Sequence, residues 1–203
     1  MYGNVDIRDV NLAFRVAGRV SEVLVDEGAL IQPGQVLARL DPAPLENTLH
    51  AAQAQLASAQ SRNQMMHHGY RNEDVQQAEA RKASAQAALT EAQAYLQRQQ
   101  ALVATGATAQ RTLDNAQSVR DQAAASLAAA QAQTTLYRAG YRKEEIAESD
   151  AALAQAKANL DVAQLALADA VLTAPSNAIV LSRMIEKGAM VQAGSPVFNL
   201  SLV

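Results

Sequence analysis

The chain writes one unit twice. Residues 27–40, EGALIQPGQVLARL, and residues 187–200, KGAMVQAGSPVFNL, align without a gap, Gly28 matching Gly188 and Gly34 matching Gly194. Just upstream, FRVAGRVSEVLV (14–25) aligns with APSNAIVLSRMI (174–185), and both stretches are rich in residues that suit a pleated, half-buried strand. Each copy supplies only a few short strands, too little to be stable alone. The two copies are therefore expected to pair into one small β domain, residues 2–41 plus 172–203, closed across everything that lies between them. In the first copy Pro33 and Gly34 suit a type II turn, Pro fixing φ at one central position and Gly accepting positive φ at the next.

The intervening residues, 42–171, read as helix. Leu45, Leu49, Ala52, Leu56 and Ala59 alternate spacings of four and three, the seam of a coiled coil, and Asn63 and Met66 continue it. Val75, Leu89, Leu96 and Val103 then recur on a period of seven, with Ala78, Ala85 and Ala92 at the offset position. Leu113 and Leu127 do the same with Ala116, Ala123 and Ala130, and Ile146, Leu153, Leu160 and Leu167 with Ala156 and Ala163. Thr134, Tyr137 and Ser149 also fall on the seam. Lys82 and Arg120 are charged seam residues, tolerable where a long stem lies along the coil and the head reaches water.

Four coiled-coil helices result, folded as a long antiparallel hairpin with each arm broken once. The tip is expected at ATGATA, residues 104–109, where Gly106 supplies a positive φ. The breaks are marked by two near-identical phrases, GYRNEDV (69–75) and GYRKEEI (140–146). Gly69 and Gly140 each end a helix, and Glu73-Asp74 and Glu144-Glu145 open the next, where the helix dipole favours negative charge. Asn72 reads as a good N-cap and Lys143 as a poor one, so the second break is expected to be the weaker, no more than a kink. Gly69 lies 37 residues before Gly106 and Gly140 lies 34 after it, which places the two joints opposite each other. At ~1.5 Å per residue such a hairpin reaches on the order of 90 Å.

Composition narrows the classes of function. With 203 residues, two Phe, no Trp and many small side chains, a thick globular core is not expected. A net charge of −3 without a basic run argues against nucleic-acid binding. The absence of Cys removes thiol nucleophiles, iron–sulfur clusters and thiolate zinc sites. His50, His67 and His68 have no Ser, Asp or Glu at triad or metal spacing, so no catalytic residue, cofactor or metal is assigned. QMMHHG (64–69) contains soft-metal ligand types, but neighbouring helix positions diverge by about 100° and do not converge on one ion. Met66 is read instead as a seam residue, and His67 and His68 as last-turn residues favoured by the dipole. No apolar window is long enough for a membrane span, and no signal-peptide pattern opens the chain.

The segments YGNVDIRDVNLAFRVAGRVSEVLVDEG, PGQVLARLD, both GYR phrases and LTAPS together resemble the membrane fusion proteins, or periplasmic adaptors, of the haemolysin D type, and within them the YbhG-type adaptors of ABC exporters. The order of strand half, broken helical hairpin and strand half covers essentially the whole chain. The resemblance implies an α+β fold in which a lipoyl- or biotinyl-like β domain is split by the hairpin. It implies a periplasmic, homo-oligomeric subunit attached to the inner membrane. Such a subunit links an inner-membrane exporter, of the ABC type, to a TolC-like outer-membrane channel for efflux or secretion. Family members carry an N-terminal anchor and, after the second half, a β-barrel; residue 203 falls about where the barrel is expected to begin, so the chain reads as a truncated form. Carrier chemistry is not implied, because the turn that would hold a modifiable Lys is RLDPAP (39–44), which has none. Asn177 and Ala178 stand where the family usually shows Asp-Gly.

Adaptors that dock such channels resemble one another at the tip, with an Arg, a Leu four residues later and a Ser seven after that. Arg98 and Leu102 match, while the third position is Ala109 with Thr108 beside it. The resemblance assigns docking to Arg98 and Leu102 with the small tip residues Thr105, Gly106 and Thr108. The plainer alternative sets Leu102 near the coil seam and pairs Arg98 with Asp114 across the turn. A rival class of function is a structural coiled coil that spaces an envelope surface with no channel partner. Such a tip would tolerate charge at Leu102 and Thr108.

Overall fold

A computed structural model describes residues 9–107 and 109–202. Strands β1 (Asp9–Ala13), β2 (Gly18–Val23), β3 (Leu30–Ile31) and β4 (Val36–Leu40) precede helices α1 (Ala43–His68), α2 (Asn72–Ala104), α3 (Gln110–Ala139) and α4 (Lys143–Ala168). Strands β5 (Val171–Thr173), β6 (Ala178–Arg183), β7 (Met190–Val191) and β8 (Pro196–Leu202) follow. The fold is α+β, a broken antiparallel helical hairpin set between the two halves of an antiparallel β domain. Residues 2–8 and 203 of the expected β domain lie outside the described residues. The chain divides into two compact units, Met1–Ala59 with Ala152–Val203 and Gln60–Ala151, the boundary falling within α1 and α4. No helix among the described residues is long and apolar enough to cross a membrane.

In the first unit the strands form two four-stranded sheets, ordered β1-β8-β6-β3 and β5-β4-β2-β7. Every sheet mixes strands from both copies, which answers the sequence problem of two halves too small to stand alone. The hydrogen bonds are exchanged reciprocally. Gly28 N–H donates to Val180 O and Gly188 N–H to Val20 O, both at 2.8 Å; Gly34 donates to Ala174 O and Gly194 to Phe14 O at 2.8 and 2.9 Å. The Pro33-Gly34 turn closes as expected, Gln35 N–H donating to Gln32 O at 3.0 Å with Gly34 at φ +79°. Its counterpart closes from Ser195 to Gln192 without a proline.

The core of this unit repeats with the same offset but trades sizes. Val20, Leu40 and Val180, Leu200 occupy equivalent buried places, whereas Phe14 corresponds to Ala174 and Phe198 to Ala38, all four buried. A ring in one copy is thus balanced by a methyl in the other, which keeps total volume near what close packing demands. Ala178 is fully buried and no non-glycine residue among the described ones has positive φ, so the turn before β6 needs no glycine. Asp41 starts α1, accepting from Ala43 N–H at 3.2 Å and from Arg19 at 3.0 Å. These contacts, the Ala43 amide first, hold its carboxyl below the ordinary carboxylate value.

In the second unit α2 and α3 pair antiparallel. Thr134 Oγ1 reaches the Ala78 carbonyl at 3.3 Å, which sets the register. Counting along both helices from that contact places Ala85 opposite Leu127, Ala92 opposite Arg120 and Leu96 opposite Ala116. Each large residue lies over an alanine, so the backbones approach closely although each alanine buries little area. Arg120 meets its charged seam position by turning its guanidinium to Asp121 at 3.2 Å.

Candidate functional site

Two places in the second unit concentrate special geometry, the tip and the joint. At the tip, α2 stops because Gly106 turns to φ +72°. Gly106 N–H donates to Val103 O at 3.0 Å and Ala107 N–H to Leu102 O at 2.9 Å, and Thr105 Oγ1 adds a bond to the same Leu102 carbonyl at 2.9 Å. Two of the orphan carbonyls of the helix end, those of Leu102 and Val103, are therefore satisfied within the turn. With the backbone closed, the Leu102 side chain is left 42% exposed beside the half-buried seam residue Val103. Thr108 lies outside the described residues.

Arg98 does not take the pairing across the turn. Asp114 Oδ1 accepts instead from Gln110 Nε2 at 3.1 Å, within its own helix. The Arg98 guanidinium lies over the Tyr95 ring at 6.0 Å, which keeps the cation at the surface. Ala109 is the N-cap of α3 in extended conformation and offers no side-chain acceptor. Replacing Ala109 by Ser should supply one to the Arg111 or Thr112 amide and stabilise that helix end by about 0.5–2 kcal/mol. The readout is slower hydrogen exchange at those two amides; unchanged exchange contradicts it.

At the joint, Gly69 and Gly140 adopt φ +77° and +75°, and a Cβ built on either would touch the other's Cα at 3.8–3.9 Å. The breaks thus face each other, as the spacing predicts. Their relative strength differs from expectation. Each interrupts its arm by three residues, and the second is the better closed. The Arg142 N–H donates to Glu145 Oε2 at 2.9 Å, the returning half of a capping box. The first break has Arg71 as N-cap, without a side-chain cap, and Asn72 is already the first helical residue. The capping assignments therefore shift by one residue, and Glu145 supplies what Lys143 cannot.

Three tyrosines fill the joint. Tyr70 stacks on Tyr141 at 5.2 Å and 18° and leans on Tyr137 at 4.7 Å and 48°. The repeated phrase thus delivers a ring from each arm to one place, where each such pair adds about 0.5–1.5 kcal/mol beyond area burial. Polar contacts bracket the stack. On one side Asn63 Nδ2 donates to Ser149 Oγ at 3.4 Å and to Asp150 Oδ1 at 2.6 Å, and His67 Nε2 meets the same Asp150 oxygen at 2.8 Å. On the other, Thr134 meets Ala78, and Arg138 meets Glu79. Thr134 and Ser149 are the two buried polar side chains among the described residues. Single polar seam residues fix register in coiled coils at a cost in stability. The sequence shows Asn63, Thr134 and Ser149 on the seam but not that they flank the joint in pairs.

The His67 side chain, then Asn63, holds the Asp150 carboxyl below its ordinary value of 3.8. A lowered folded-state value means that the contact contributes above the unfolded value and is lost as pH falls through the folded one. The contribution should therefore be intact at neutral pH and be lost progressively as the pH falls below about 4. Comparing melting of the wild type and Asp150→Asn between pH 6 and pH 3 checks this. The gap between the two should close on acidification, and a constant gap contradicts it. His68 Nδ1 is engaged by the Gln64 carbonyl at 2.7 Å, and no metal-binding group of three acidic or histidine residues occurs among the described residues.

Residues 40–169, well over half of the chain, match the family described as YBHG alpha-helical hairpin domain. A UPF0194 membrane protein of Yersinia pseudotuberculosis serotype O:3 is 46% identical over 202 residues, covering 100% of this chain and 62% of the relative. One from Citrobacter koseri is 48% identical, covering 100% and 61%. The chain thus spans about three fifths of the length of these curated relatives. The structure of the periplasmic adaptor protein EmrA is similar with a TM-score of 0.58 and 20% identity, over 96% of this chain and 72% of that one. A MacA-MexA chimeric protein containing the Pseudomonas aeruginosa MexA α-hairpin domain gives 0.54 and 21%, over 97% and 48%. The soluble domain of LipC, a membrane fusion protein of a type I secretion system, gives 0.54 and 15%, over 97% and 99%. At these identities the structural neighbours establish the fold. The chain belongs to the family of the YBHG alpha-helical hairpin domain.

Proposed function

We propose that this chain is the hairpin and β portion of a periplasmic adaptor that links an inner-membrane exporter, of the ABC type, to a TolC-like outer-membrane channel. The observation that carries the reading is the tip: a turn closed on its own carbonyls, built of small residues, that leaves Leu102 and Arg98 exposed on one hairpin end. Such a helix end presents an exposed apolar side chain and an exposed cation without an ion-pair partner among the described contacts. The likeness of the fold to EmrA, a periplasmic adaptor protein, and to LipC, a membrane fusion protein, supports the same class. The protein works as a homo-oligomer in the periplasm, attached to the inner membrane, and takes no nucleic acid and no cofactor. Transport follows from contact and reach, with no bond made or broken.

The test is affinity purification of the full-length protein from native envelopes, with mass spectrometry of what accompanies it. The adaptor reading expects an ATPase and permease together with an outer-membrane channel. Recovery of the protein with neither would favour a spacer without a channel partner.

A further inference from the structure

The joint differs from the coils on either side of it in what holds the arms together. Each break leaves three residues outside helix, 69–71 on one arm and 140–142 on the other. At this height the arms meet through the two facing glycines and through rings, Tyr70 against Tyr137 and Tyr141. A hydrogen bond weakens steeply as its angle opens. Aromatic pairs are instead favourable over ring separations of about 4.5–7 Å, stacked or tilted, and Tyr70 already makes one pair of each kind. A cleft of about 320 Å³ opens beside them, between Met66 and Tyr70 on one arm and Tyr137, Tyr141 and Ile146 on the other. The rings have room to slide without losing each other.

The coils above and below are pinned by directional contacts. Thr134 to the Ala78 carbonyl and Arg138 to Glu79 fix α3 on α2 just above the joint. Asn63 and His67 to Asp150 fix α1 on α4 just below it. Spacing differs too, α2 and α3 running within 8 Å of each other and α1 and α4 standing farther apart. Bending therefore costs least between the two sets of pins. The two breaks do not yield equally. Glu145 accepts from the Arg142 N–H and closes the start of α4, whereas Arg71 begins α2 without a side-chain cap bond.

We propose that the joint is a pivot on which α2 and α3 swing as one body against residues 60–68 and 143–151, the second break being its fixed side and the first its yielding side. A hinge of this kind confines the dihedral change to a few residues at element ends. Gly106 lies 37 residues beyond Gly69. At ~1.5 Å per residue, a tilt of about 10° at the joint moves the tip by roughly 10 Å. A small angular change at three tyrosines thus becomes a large displacement of Arg98 and Leu102, with the coil between them left unstrained.

The chain has no Cys, so spin labels can be placed at chosen positions without background. Gln60 of α1 is exposed, and α2 exposes Gln76, Gln86, Gln93 and Gln100 along a glutamine flank. Labels on Gln60→Cys with Gln86→Cys span the joint, and labels on Gln76→Cys with Gln100→Cys lie within α2. Both separations are about 36–40 Å at ~1.5 Å per residue. Labelled full chain is diluted with unlabelled chain so that distances within one copy are read, and circular dichroism controls for folding. Double electron–electron resonance should give a joint-spanning distribution at least ~2-fold broader than the α2 pair, because a hinge populates a range of angles. Glu145→Ala should broaden it by a further ~1.5-fold, since the fixed side then loses its cap. The α2 pair should be unaffected by that change. A joint-spanning distribution no broader than the α2 pair overturns the pivot, and wild-type width in Glu145→Ala overturns the second break as its fixed side. Channel capture enters neither readout, so failure of the adaptor reading and failure of the pivot are told apart.

Discussion

Combining Arg98→Asp with Leu102→Glu in the full-length protein should weaken capture of its outer-membrane channel at least ~100-fold. The hairpin's far-UV circular dichroism should not change. The size of the effect rests on what the two side chains are. A few central residues carry most of an interface's energy, and Arg is enriched among them. The double variant removes both and leaves two carboxylates where a cation and an apolar contact stood, so repulsion and desolvation add to the loss. The fold should be spared because neither side chain supports it. Arg98 touches only Tyr95 among its described contacts, and Leu102 holds the turn through its carbonyl, which the substitution keeps. Channel capture that survives the double variant, in a hairpin shown to be helical, would refute tip docking.

Phe198→Ala should produce the largest loss of stability in the molecule, about 3–5 kcal/mol for a buried aromatic cut to a methyl. Phe198 is fully buried in β8, pairs in register with Leu12 of β1 and Arg183 of β6, and stands at the place where the first copy has Ala38. The pocket cannot refill from its counterpart, because that position already holds the small member of the pair. The sheets join both copies, so the loss should unfold the β unit as a whole and lower its melting temperature by ~10 °C or more. Differential scanning calorimetry against the tip double variant checks this. A shift below about 2 °C would mean that the ring is not where the two copies are balanced.

Much of the fold was legible because the sequence repeats itself. Two strand-poor copies around a heptad region leave few arrangements other than a shared β domain closed across a hairpin, and Pro33-Gly34 names its own turn. The joint was legible in position, since Gly69 and Gly140 stand at nearly equal distance from Gly106. Its relative strength was misread because the caps were assigned one residue late. Counted from Arg142, Glu145 is the third helical residue and the expected member of a capping box; counted from Lys143 it has no role. The tyrosine stack was only half visible. Tyr70 and Tyr141 stand in the repeated phrase, but Tyr137 joins them only once both arms are in register. The exchange of Phe14 with Ala174 and Ala38 with Phe198 was out of reach, because complementary volume is a property of the paired halves and neither half shows it alone. Arg98 and Asp114 were a reasonable pair by distance along the turn, yet Gln110 lies one helical turn from Asp114 and takes it first.

The central claim, that the hairpin tip is a contact surface for an outer-membrane channel, is tested most directly by photo-crosslinking in living cells. A photoreactive amino acid is placed one position at a time from 102 to 109 in the full-length protein, and the captured peptides are sequenced. The account predicts that position 102 and the small-residue turn trap a channel subunit, and that exposed positions on the glutamine flank, such as 93 and 100, trap none. Crosslinks confined to lipid, solvent or further copies of this protein, with no channel captured from any tip position, would contradict it.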